Sequence, residues 1–143
     1  MNKNLIALST ILIRSSRQQI WDVLTNPEKI KRYLYGTKIK TNWTKGDPIS
    51  FEGEYEGRKY LDKGIVIEVK ALQSISYSYW SSFSGLEDKA DNYAIVNYKI
   101  EEQGEGVYIF TWHQQGFVNE EGKCHTEKGL IAMLEEIKKI AEE

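Results

Sequence analysis

The sequence predicts an α+β fold in which a strongly curved antiparallel sheet of about seven strands is wrapped round a long C-terminal helix. Three observations predict it. Apolar and polar residues alternate with period two from residue 37 to about 114. The tail from Thr126 to Ala141 switches to an amphipathic helical stripe. Two short helix signatures stand between a first strand and the alternating region. At 143 residues, 41% of them apolar, the chain is expected to form one domain over residues 1–143. Its aromatic share of 12% implies a core built from rings as much as from aliphatics.

The first strand, residues 4–14, is rich in Leu and Ile with Ser and Thr between them. A leader peptide is the competing reading of this run. Ser9 and Thr10 interrupt it, however, and Arg14 and Arg17 follow with no small-residue cleavage site. The run also falls far short of the roughly 20 apolar residues of a membrane span. Ser16 and Gln19 form a capping-box pattern ahead of Ile20, Trp21, Val23 and Leu24 at helical spacing. Asn26 and Pro27 then serve as N-cap and first residue of a second short helix. Ile30, Tyr33 and Leu34 share one of its faces, and Gly36 closes it.

Ile49, Phe51, Gly53 and Tyr55 alternate with Ser50, Glu52 and Glu54, the pattern of a half-buried strand with an acidic outer face. Glu56–Gly57 turns the chain, Arg58 starts the return, and Gly64–Val69 alternates again. Ile75, Tyr77 and Tyr79 mark the next strand, and residues 81–91 have loop composition. Strands over 92–102 and 106–114 follow, joined at Gly104–Gly106. In the tail, Leu130, Leu134, Ile137 and Ala141 form the apolar stripe. Six strands are thus expected after the short helices.

A net charge of −2 with no basic cluster argues against nucleic acid as a partner. The single cysteine, Cys124, forms no intrachain disulfide and fits a reducing compartment, so a cytoplasmic location is expected. Phosphate-binding glycine loops, nucleophile elbows and dinucleotide fingerprints are not found in the sequence.

One helix cannot cover a flat sheet of this width, so the sheet must curl round it and the short helices must seal an end. Space left between helix and sheet is a candidate ligand pocket. The stretches IWDVLTNPEKIKRYL, KGDPISFEG, GIVIEVKALQSISYSYW and YIFTWHQQGF, with the final helix, span nearly the whole chain. In this order they resemble the START-like (SRPBCC) domains of helix-grip fold. The branch they are most similar to is the C-terminal domain of the activator of the heat-shock protein 90 ATPase. Departures are Tyr33 where that family usually has Trp, Asp47 in place of the second glycine of a pair, and Ala71 where proline is common. The grip geometry and the tyrosine-rich interior predict binding of a small hydrophobic or amphipathic ligand, and no cofactor is expected. The resemblance implies two alternatives: a chaperone-accessory protein partner, or a cavity enzyme such as a cyclase or hydrolase.

If one strand phase holds through the meander, Phe51, Tyr55, Ile67, Tyr77, Tyr79, Tyr98, Thr111 and His113 face the interior. Tyr33, Leu130 and Leu134 join them from the helices. Buried tyrosine hydroxyls want partners, so they either anchor a ligand or bond one another. His113 is the best acid–base candidate, yet no spacing supplies it with an orienting carboxylate. His113, Cys124 and His125 have no metal-ligand spacing, so neither catalysis nor metal binding is expected. The strand at 107–113 is apolar on both faces. Its Tyr108, Phe110 and Trp112 row therefore either packs under another element or forms a protein–protein contact, such as a homodimer interface.

Overall fold

The computed structural model describes residues 1–143. The chain runs β1 (Asn2–Arg14), α1 (Arg17–Thr25), α2 (Pro27–Tyr33), β2 (Lys38–Lys40), β3 (Pro48–Tyr55), β4 (Arg58–Lys70) and β5 (Ser74–Tyr79). A 3-10 turn (Ala90–Asn92) leads into β6 (Ala94–Gly104), β7 (Val107–Phe117) and α3 (Glu120–Ala141). The strands form one seven-stranded antiparallel sheet in the order β1-β7-β6-β5-β4-β3-β2, curved over α3 in the helix-grip manner.

Local chemistry explains the short helices. The Ser16 hydroxyl accepts from Gln19 N at 3.1 Å, and Asn26 accepts from Glu28 N at 3.0 Å. The reciprocal arm of the expected capping box is redirected, because the Gln19 side-chain oxygen takes the Ser15 hydroxyl instead. Ile20, Val23, Leu24, Ile30 and Tyr33 are the buried face of this helical corner. On α3 the buried stripe is Leu130, Leu134, Ile137, Ile140 and Ala141, laid against Ile75, Val96, Tyr98 and Phe110 of the sheet in one core.

Sheet curvature has a visible device at Gly64. An added Cβ there would overlap the Ser78 carbonyl oxygen, so only glycine lets β4 and β5 approach this closely. The edge strand β1 is closed by α3 side chains. Glu127 accepts from Leu8 N at 3.2 Å, Glu142 accepts from Arg14 N at 2.8 Å, and Lys138 Nζ donates to Leu12 O at 3.1 Å. Edge groups that invite another strand are thereby engaged within the chain.

Three expectations about elements are corrected. Residues 58–70 are one strand rather than two, and the sixth post-helical strand is the short β2. The helix begins at Glu120, six residues ahead of Thr126, because Asn119 caps it by accepting from Gly122 N at 2.9 Å. Its opening turns carry only polar residues and small ones, so no apolar stripe announces them. Third, the strand phase at β7 is reversed. Phe110 and Trp112 point into the core beside Tyr98, while Thr111 and His113 pair with Lys99 and Asn97 on the convex face. The double-sided apolar strand thus resolves as burial of the aromatic row under α3.

Candidate functional site

A cavity of about 560 Å³ lies between α3 and the concave sheet, within the range of small-molecule sites. Strand alternation places its floor: Phe51 of β3, Tyr77 of β5, Val96 of β6 and Trp112 and Gln114 of β7. Thr126, Gly129, Leu130 and Met133 of α3 form its roof. At the mouth stand exposed rings, among them Tyr35, Tyr55 and Phe83. Gly129 matters more than its size suggests. A Cβ built on it meets nothing within 4 Å, so the roof is open at this point of the helix.

The floor is an aromatic array. Phe51 packs edge-on to Tyr79 and tilted to Tyr77, with centroids 5.5 and 5.6 Å away. Tyr98 lies behind, against Tyr77 at 5.6 Å and Trp112 at 4.6 Å. The Tyr77 and Tyr98 hydroxyls bond each other at 2.6 Å. Burial pushes the phenols of Tyr33, Tyr77, Tyr79 and Tyr98 above the ordinary tyrosine range. For Tyr79 the neighbouring Asp62 carboxylate adds to that push, accepting its hydroxyl at 2.6 Å.

Asp62 is the one buried carboxylate of the lining. Besides Tyr79 it accepts from Ser82 N at 2.9 Å and from the Ser82 hydroxyl at 3.2 Å. It therefore ties the loop after β5 to the cavity wall. Tyr60 bonds Thr37 at 2.5 Å and lies over Gly53, where a Cβ would overlap its hydroxyl. The space that Gly53 leaves beside its backbone is filled by this ring.

With this geometry in hand, the model of the Activator of Hsp90 ATPase homolog 1-like protein family matches residues 14–142. The chain belongs to that family. Solved structures extend the likeness. The solution structure of ChR145 from Cytophaga hutchinsonii is 32% identical, with a TM-score of 0.81, covering 97% of this chain and 94% of that one. The Aha1 dimer from Colwellia psychrerythraea (12% identity, TM-score 0.73, 96% of each chain) shares the fold. So does an HSP90 activator from Plasmodium falciparum, at 12% identity and TM-score 0.74, over 95% of each chain. No curated protein is significantly similar to the chain. As in the family resemblance drawn from the sequence, the fold is START-like, and no helix is long and apolar enough to cross a membrane.

Of the residues expected at the site, Phe51, Tyr77, Tyr79 and Leu130 line the cavity, and Tyr55 stands at its mouth. Tyr98, Tyr33 and Leu134 are buried behind the lining and support it. Ile67, Thr111 and His113 are corrected. Ile67 is an exposed residue next to Val66, whose side chain takes the core position, and a register shift at this point interrupts the pairing. Thr111 and His113 lie on the convex face for the phase reason given above. Of the row expected as an interface, Trp112 lines the cavity, Phe110 is core, and Tyr108 lies under the Arg17 guanidinium at 5.1 Å. Cys124 is exposed on the first turns of α3, and His125 reaches the cavity rim.

Sequence reasoning missed Asp62, Trp112, Gln114 and Gly129. Asp62 alternates in phase with Tyr60 and Gly64, a signal available once 58–70 is read as one strand. Gly129 inside a helical stripe was the clearest unused clue, since glycine there costs about 1 kcal/mol relative to alanine.

Proposed function

We propose that the domain binds a small hydrophobic or amphipathic molecule in the cavity between α3 and the concave sheet. The observation that carries this reading is the ring-lined space of about 560 Å³ roofed by a helix that keeps a glycine at residue 129. A helix glycine that weakens its own element yet faces open space fits a site kept clear for a ligand. The reading is one of binding, and His113, the acid–base candidate of the sequence, lends no support to a cavity enzyme because it lies across the sheet from the cavity. A reducing, cytoplasmic setting agrees with the single exposed Cys124.

The test is a thermal-shift panel of a fatty acid, a sterol and a tricyclic aromatic ketone, run on the native chain and on Gly129→Phe. The native chain is expected to be stabilised by at least one compound. Gly129→Phe, which fills the roof, is expected to fold and to lose that stabilisation. No shift with any compound, or equal shifts in both proteins, contradicts the reading.

A second reading is favoured by the family itself and by its dimeric and chaperone-activating relatives. In it, the exposed Ile6, Leu8, Ile65 and Ile95 of the sheet's outer face meet a protein partner or a second copy. Sedimentation and a chaperone ATPase assay test it. A monomer that leaves the ATPase rate unchanged removes it.

A further inference from the structure

The cavity wall contains one polar group that its own fold leaves without a partner. Trp112 is 6% exposed, and its Nε1 has no acceptor in the protein. The indole N–H only donates. By contrast, Trp43 Nε1 donates to Thr25 O at 3.1 Å and Trp80 Nε1 to Leu86 O at 3.2 Å. Buried donors are nearly always satisfied, and leaving one unpaired costs about 1–3 kcal/mol. Trp112 lines a ligand-sized cavity, and its covered orphan donor is what a ligand's oxygen would relieve once a neighbouring side chain shifts to uncover it.

The charge of the lining narrows the ligand further. It contains no Lys or Arg, while Asp62 and Glu54 are carboxylates. His125 and the Arg58 guanidinium over Phe83 stand at the exposed rim. A ligand carboxylate or phosphate buried on the floor would therefore face Asp62 with no Lys or Arg of the lining to offset its desolvation. A buried ammonium fares little better, because both Asp62 oxygens are already engaged by Tyr79 and Ser82 and Glu54 stands in the exposed mouth. The remaining surface is made largely of ring faces, which suit a flat aromatic body.

Resting on the ligand-binding reading above, we propose that the cavity selects an uncharged, flat aromatic molecule with a carbonyl-type oxygen that accepts from Trp112 Nε1. Molecules of the same shape bearing a carboxylate are rejected. Trp112 is the specificity-determining residue.

Three matched probes test this: 9-fluorenone, fluorene, which lacks the oxygen, and fluorene-9-carboxylate, which adds a charge. Affinities are measured by calorimetry, and the four indole N–H signals are followed in nitrogen–proton spectra. Fluorenone is expected to bind about tenfold more tightly than fluorene, the worth of one hydrogen bond, with the carboxylate weakest. Only fluorenone moves the Trp112 signal downfield, and Trp112→Phe removes its advantage. Should that variant fail to fold, the native affinities and the indole signal decide alone. Equal binding of fluorenone and fluorene, or tightest binding of the carboxylate, overturns the selectivity while leaving the ligand-binding reading in place. If no probe binds and no indole signal moves, that reading falls and the selectivity with it.

Discussion

At the residue scale, the four phenols of Tyr33, Tyr77, Tyr79 and Tyr98 are the most perturbed groups of the core, held protonated by burial. Each folded value lies above the ordinary one of 10.0, so above pH 10 the unfolded chain sheds these protons while the folded chain keeps them. Stability from this source is therefore fully present below pH 10 and is lost as the pH climbs beyond it. An ultraviolet titration followed together with circular dichroism is expected to show these four ionising only as the fold is lost. Ionisation of all nine tyrosines in one reversible step with the fold intact would contradict the burial. The tyrosine-rich interior was legible in the sequence, but the pairing of Tyr77 with Tyr98 was not. Those residues are 21 apart and meet only because adjacent strands β5 and β6 carry both rings on the concave face.

At the element scale, curvature of the sheet depends on the contact between β4 and β5. Gly64→Ala sets a methyl against the Ser78 carbonyl oxygen and is expected to cost about 3 kcal/mol, the upper end for overpacking. Gly104→Ala, where the methyl meets nothing within 4 Å, stays within about 0.5 kcal/mol. Denaturant unfolding of the two variants checks this, and equal losses would show that Gly64 has no special role. Which elements exist was largely readable, because each rests on local signals such as the Ser16 and Asn26 caps and period-two alternation. The phase of β7 was not. When both faces of a strand are apolar, the pattern does not say which is inward. The contents of the opposing surface decide: α3 covers Phe110 and Trp112, while His113 keeps company with Asn97 and Leu8.

At the scale of the whole molecule, helix and sheet meet tightly along Leu134, Ile137 and Ile140 and part near Gly129 and Thr126. That the sheet grips the helix follows from counting apolar faces, and the sequence carries it. How much room remains does not, because a cavity is a difference between side-chain volumes and backbone separation that no single residue encodes. The central claim is that a ligand occupies this room. The most direct measurement is an amide chemical-shift map of the labelled protein titrated with fluorene. Shifts are expected to gather at Phe51, Tyr77, Trp112 and Leu130 around the cavity. Shifts gathered at Ile95, Asn97 and His113 on the outer face, or none at saturating probe, would contradict it.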